Sequence, residues 1–136
     1  AVLVDSSHCS HAEQTVALVR HALRGGPLSR VVNTHLHSDH CGGNAALQRA
    51  FPGLPVDVPP GGFDAVVRWD DDALSYRPTN QRCERFTVRG RLEPGATLAV
   101  GVRRWEVIAA PGHDPDAVML FDRAHGVLIS ADALWG

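Results

Sequence analysis

The stretch Val31-Val32-Asn33-Thr34-His35-Leu36-His37-Ser38-Asp39-His40-Cys41-Gly42-Gly43 begins as an apolar strand and ends as a cluster of side chains that bind metals. Histidines two apart in extended chain point to the same side, so His35 and His37 can grip one ion from the strand end. Asp39 and His40 follow where the chain starts to turn, and their carboxylate and imidazole are free to serve a second ion nearby. Four ligand-type residues in six positions, just past a strand, occupy the place where α/β folds put their sites. Imidazole and carboxylate without thiolate favour zinc, with iron or manganese as alternatives. Cys41 adjoins His40, but its neighbours Gly42 and Gly43 mark a tight packing position, so it reads as structural.

Upstream, Ala1 to Val4 reads as a short buried strand. Ser10 and Glu13 have the spacing of a capping box, with Val16, Val19 and Leu23 at helical intervals and Gly25-Gly26-Pro27 as the stop. Downstream, a helix of about Asn44 to Phe51 closes at Pro52-Gly53. Strand, helix, strand, helix argues for an α/β layered fold. Residues 52 to 62 read as loop, and Phe63 to Leu74 as a helix whose Asp70-Asp71-Asp72 run is a solvated face. The second half turns to strands at Phe86-Thr87-Val88, 97–100, 105–108, 118–121 and 127–129, separated by Gly, Pro and Asp turns.

The whole chain is compatible with this reading. Its 136 residues suffice for one domain, and 44% hydrophobic with 21% charged residues is ordinary globular composition. The net charge of −2, with both signs interspersed, gives no nucleic-acid footprint, and no apolar run approaches a membrane span. Three cysteines, an odd number without CxxC spacing, argue against a disulfide framework and for a reducing, cytoplasmic compartment. Both ends look cut: Ala1 is already inside a strand-like run, and Gly136 directly follows Leu134-Trp135.

Two further residues are candidate ligands. His113 follows a Pro111-Gly112 turn at the end of the 105–109 strand, and Asp132 lies just past the 127–129 strand. Either alone is an ordinary turn residue; together with the histidine cluster they complete a ligand set. His8 and His11 read as loop residues near the site rim, and His21 and His125 as surface residues. Trp69 and Trp135 are expected in the core, Tyr76 near a pocket, and Cys83 without a partner.

The pieces Leu3-Val4-Asp5, Thr34 to Asn44, Pro111-Gly112-His113-Asp114-Pro115 and Ser130-Ala131-Asp132-Ala133-Leu134 together resemble the metallo-β-lactamase superfamily, most closely its glyoxalase II and lactonase branches. The resemblance implies an αββα sandwich, here an incomplete one spanning residues 1–136 as a single partial domain, with the last strands and helices of the second half missing. It implies His35, His37 and His113 on a first metal, Asp39 and His40 on a second, and Asp132 bridging, with two zinc ions in the intact enzyme. It implies that Asp5 supports the site from behind. The family's usual further histidine beyond the bridging Asp has no counterpart here, and Asp114-Pro115-Asp116 stands where Thr-Pro-Gly is common.

The implied activity is hydrolysis of a small-molecule thioester, lactone or ester by a hydroxide shared between the metals, with Asp39 as the catalytic carboxylate. The alternatives are a nuclease or phosphodiesterase of the same fold, a mononuclear iron persulfide dioxygenase, and an inactive metal-binding fragment.

Overall fold

The computed structural model describes residues 1–134; the expectation for Trp135 lies outside the described residues. Strands β1 (Val2–Val4), β2 (Arg30–Val32), β3 (Val56–Val58) and β4 (Gly90–Arg91) pair in that order, all parallel. Parallel neighbours cannot be joined by a hairpin, so each connection crosses back outside the sheet. Helix α1 (Ala12–Leu23) returns β1 to β2. Helices α2 (Ser38–Cys41) and α3 (Asn44–Ala50) return β2 to β3, and α4 (Pro60–Arg68) with an irregular segment, residues 69–89, returns β3 to β4. Strands β5 (Thr97–Val100), β6 (Arg103–Ala109), β7 (Val118–Asp122) and β8 (Val127–Ile129) form a second, antiparallel sheet joined in sequence order.

Side-chain alternation along the first sheet divides the core in two. Leu3, Val31, Val56 and Val58 face the helices and pack with Val16, Val19, Leu47 and Val66. Val2, Val4 and Val32 face the other way and meet Leu98, Val107, Val118 and Leu120 of the second sheet. The layers therefore run helix, sheet, sheet. Asp57 is buried, and the Arg30 guanidinium compensates it at 2.6 Å from the neighbouring strand.

Four local expectations are corrected. The capping box does not form: His8, not Ser10, caps a 3-10 turn at Cys9–His11 by accepting the Ser10 amide, and α1 begins at Ala12. The supposed loop 52–62 contains β3, a three-residue strand hidden between Pro55 and Pro59. The helix expected over Phe63 to Leu74 is α4, which starts earlier, with Pro60 in its first turn, and stops at left-handed Trp69 (φ 57°), so Asp70 to Asp72 lie in a turn where Asp70 accepts the amides of Asp72 and Ala73. Phe86-Thr87-Val88 is not a strand. The Gln48 side chain satisfies both the amide and the carbonyl of Thr87, doing what a ladder partner would have done. The other four second-half strands, expected at 97–100, 105–108, 118–121 and 127–129, form there.

Gly42 and Gly43 are where the β1 loop crosses the ligand segment. A Cβ at Gly43 would lie 2.2 Å from the Ser6 carbonyl oxygen, and one at Gly42 2.4 Å from the Cys9 amide nitrogen. Both obstacles are backbone, so neither can swing aside. Gly43→Ala should therefore destabilise the protein by about 1–3 kcal/mol in urea denaturation, the usual cost of overpacking. Gly112→Ala, whose Cβ would meet nothing within 4 Å, is the control and should unfold like the parent.

Candidate metal centre

The site lies at the carboxyl ends of β1 and β2, where the second sheet reaches across. The Val118 amide donates to the Thr34 carbonyl at 2.8 Å, tying the start of β7 to the histidine segment and setting the preceding loop, with His113, over it. Asp132 sits in a 3-10 turn (Ala131–Ala133) beyond β8, delivered by Ala131 in the left-handed region at φ 44°.

Hydrogen bonding from behind fixes which nitrogens face inward. Asp5, at φ 56°, accepts the Thr34 amide on Oδ1 (2.8 Å) and the Thr34 hydroxyl on Oδ2 (2.8 Å). The Thr34 hydroxyl, having given its proton to Asp5, accepts from Nδ1 of His35 at 3.2 Å, so Nδ1 carries the proton and Nε2 keeps its lone pair. Asp5 Oδ2 also takes Nδ1–H of His40 at 2.9 Å, directing His40 Nε2 inward. The His40 carbonyl is held in turn by the Ser6 amide (2.7 Å) and the Asn33 amide group (3.0 Å). Asn33 is joined to Asn44, and Asn44 to Ser6, in a buried network.

Five of the six predicted ligands, all but Asp39, converge in two overlapping groups. The ligand atoms of His35, His37 and His113 lie within 4.8 Å of one another, as do those of His35, His40 and Asp132. Nδ1 of His37 is 3.0 Å from Nε2 of His113. The two Asp132 oxygens divide between the groups, Oδ1 at 3.3 Å from His40 Nε2 and Oδ2 at 3.4 Å from His113 Nε2. Asp39 Oδ2 is 3.8 Å from His40 Nε2 and largely open to solvent.

These residues fit a metal on two counts. Nε2 of His35 is buried with no hydrogen-bond partner among the described residues, a costly state for a lone pair that a cation would relieve. Zinc bonds of 2.0–2.1 Å to nitrogen at tetrahedral angles put ligand atoms roughly 3.3 Å apart, near the separations across Asp132.

Sequence reasoning missed Asp114, whose Oδ2 lies 3.8 Å from the outward nitrogen, Nε2, of His37. Its signal was present as the charged residue beside His113. His8 is a cap and His125 an ion-pair partner of buried Asp122, so neither enters the site. Tyr76 is buried, its hydroxyl donating to the Leu36 carbonyl at 2.9 Å, and it lines the cavity beside Cys83 rather than the histidine cluster. A small cavity of about 100 Å³ opens beside His35, lined by Leu36, Pro59, Leu74, Asp114 and Asp116.

A family model described as Metallo-beta-lactamase superfamily matches residues 1–136. The chain is 34% identical over 119 residues to a hydroxyacylglutathione hydrolase of Gloeobacter violaceus, covering 88% of this chain and 38% of that protein. It is 28% identical over 113 residues to an acyl-coenzyme A thioesterase, MBLAC2, of Gallus gallus, covering 76% and 41%. Among solved structures, the BLEG-1 B3 metallo-beta-lactamase superposes with a TM-score of 0.74 at 25% identity, over 100% of this chain and 63% of that one. The chain thus spans about two-fifths of the length of these curated relatives.

Electrostatics give the metal-free site a pH signature. Burial, then the neighbouring His40 and His37, push His35 from its ordinary 6.5 down to about 4. Burial also works to lower His40, but the Asp5 hydrogen bond and charge, with Asp132 and Asp39, outweigh it and hold His40 above its ordinary value. For His35 the unfolded chain binds the proton first, so its stability contribution is full above pH 6.5 and is lost as pH falls towards 4. For His40 the folded chain binds it more tightly, so that contribution is full below pH 6.5 and is lost as pH rises through the higher folded value. In urea titrations of metal-free protein, His35→Gln should flatten the acid limb of the stability profile and Asp5→Asn the alkaline limb. An unchanged acid limb in His35→Gln would contradict the assignment.

Proposed function

The chain belongs to the metallo-beta-lactamase superfamily, and on that premise we propose that it carries the two-metal centre of a zinc hydrolase acting on a thioester, lactone or ester carbonyl. The observation that carries the reading is the Asp132 carboxylate, which reaches His40 with one oxygen and His113 with the other. A carboxylate spanning two ligand groups suits a pair of cations better than one. In this reading His35, His37 and His113 hold the first ion, Asp39 and His40 the second, and Asp132 both. The cations, when bound, would lower the pKa of a water and polarise the substrate carbonyl.

The rest falls to the protein. Thr34 and Asp5 keep the inward nitrogens of His35 and His40 aimed at the site, and Asp114 lies behind His37. Asp39, the most exposed carboxylate of the set, would take a proton from the attacking water on its oxygen not turned to His40 and pass it towards the leaving group. The cavity beside His35 accepts the acyl portion of the substrate between Leu36, Pro59 and Leu74. One relative is named for hydroxyacylglutathione and another for acyl-coenzyme A thioesters, so acyl thioesters are the first class to assay. A non-haem iron oxygenase holds one ion with two histidines and one carboxylate, so that reading would use Asp132 on one side only.

The test is metal analysis beside turnover of thioesters, lactones, esters and β-lactams by protein expressed from the complete gene. Two zinc ions per chain with hydrolysis of at least one class is the expected result; one iron would replace this reading with the dioxygenase. Asp39→Ala should lower kcat by at least ~100-fold, the lower range for a lost acid–base group, while part of the metal stays bound. Turnover unchanged in Asp39→Ala would remove that residue from the mechanism.

A further inference from the structure

Outside the metal ligands, two thiols meet behind the ligand helix. Cys41, the last residue of α2, is fully buried, and its sulphur lies 3.8 Å from that of Cys83, more than forty residues away in the irregular 69–89 segment. No cysteine is disulfide-bonded. The sulphurs already touch, and forming a bond of about 2.05 Å asks for a movement of less than 2 Å. Cys83 is only half-buried and lines a solvent-open cavity of about 590 Å³ with Cys9, Tyr76, Gln81 and Arg82, whereas Cys41 is buried and does not line it.

The segment around Cys83 already grips the metal-binding stretch. The Tyr76 hydroxyl donates to the Leu36 carbonyl, the Gln81 side chain accepts the Ser38 amide at 2.8 Å, and the Cys9 thiol donates to the Arg82 carbonyl at 3.3 Å. Every one of these links is non-covalent. A bond between Cys41 and Cys83 would make the connection covalent one residue from His40.

We propose that Cys41 and Cys83 are a redox modification site, closing reversibly to a disulfide that pins the 76–83 segment to the ligand-bearing helix. With hydrogen peroxide as oxidant, the Cys83 sulphur attacks one oxygen, the O–O bond breaks, and a sulfenic acid and one water result. The Cys41 sulphur then attacks the Cys83 sulphur, the S–O bond breaks, and a second water leaves. Two thiols lose two electrons and two protons, and one peroxide becomes two waters. A dithiol reverses the bond by exchange. Disulfides of this transient kind are the ones that proteins in reducing compartments carry.

The experiment is peroxide treatment of the purified chain followed by thiol counting, intact mass and tryptic mapping. The reduced protein should titrate three thiols and the oxidised protein one, with a mass loss of two hydrogens and a bridge joining the peptides 31–49 and 83–85. Dithiothreitol should restore all three. Cys9→Ser should still close the bridge and fall from two thiols to none, while Cys83→Ser should form no intramolecular bridge. Three thiols surviving in the parent, a bridge from Cys83 to Cys9, or a bridge only between chains would overturn the proposal. If Cys83→Ser does not fold, the Cys9→Ser result decides alone, since retention of both thiols there refutes the pairing.

Discussion

The carboxylate of Asp5 takes three hydrogen bonds at once, from the Thr34 amide, the Thr34 hydroxyl and the His40 ring. Through them one residue at the end of β1 ties the end of β2 to the helix that carries Asp39 and His40. It also sets the proton on His35 indirectly, since the Thr34 hydroxyl, its own proton taken by Asp5, offers that ring only lone pairs. Hydrogen bonds to a charged acceptor in a partly buried setting are the strong ones, and losing this acceptor would leave several donors unpaired together. Asp5 pays for the position with a left-handed backbone that only glycine adopts freely, a strain of order 1–3 kcal/mol.

The same economy recurs around the cluster. Ser6, Asn33 and Asn44 are almost wholly buried polar residues, and their bonds end on one another or on the His40 carbonyl. Left-handed conformations recur at Ser7 and at Ala131, next to the last predicted ligand. Buried polarity is concentrated at the histidine cluster, whereas left-handed residues also occur at Arg24, Trp69, Ser75 and Asn80. Elsewhere the two cores are built mainly from aliphatic side chains in ordinary strands and helices. A chain that folds only to pack would gain nothing from this distribution; a chain that must hold several lone pairs towards one point requires it.

What could be read from the sequence followed how local each feature is. His35, His37, Asp39 and His40 are close in sequence, so their spacing alone argues a shared purpose. His113 and Asp132 were visible only as polar residues just past strands, and it is sheet pairing that brings them to the cluster. The antiparallel strands were legible from alternation and turns. β3 was hidden because flanking prolines read as loop, although its residues are buried among parallel neighbours. Phe86-Thr87-Val88 misled because strand propensity cannot reveal that Gln48, far away in sequence, satisfies the Thr87 backbone. Asp114 behind His37 and Cys83 against Cys41 are contacts of the same non-local kind, and no spacing rule anticipates them.

The two sheets also differ in how far along the chain each pairing must reach. The antiparallel sheet closes neighbour on neighbour through short turns, whereas every pairing of the parallel sheet encloses a helix or a long irregular segment. Loop-closure entropy makes the second kind of pairing slow and the first fast. The meander of β5 to β8 would then be formed while β1 to β4 are still searching for register. His113 and Asp132 belong to the early partner and the histidine stretch to the late one. The converged ligand set requires both sheets, so tight metal binding would mark the moment at which they dock.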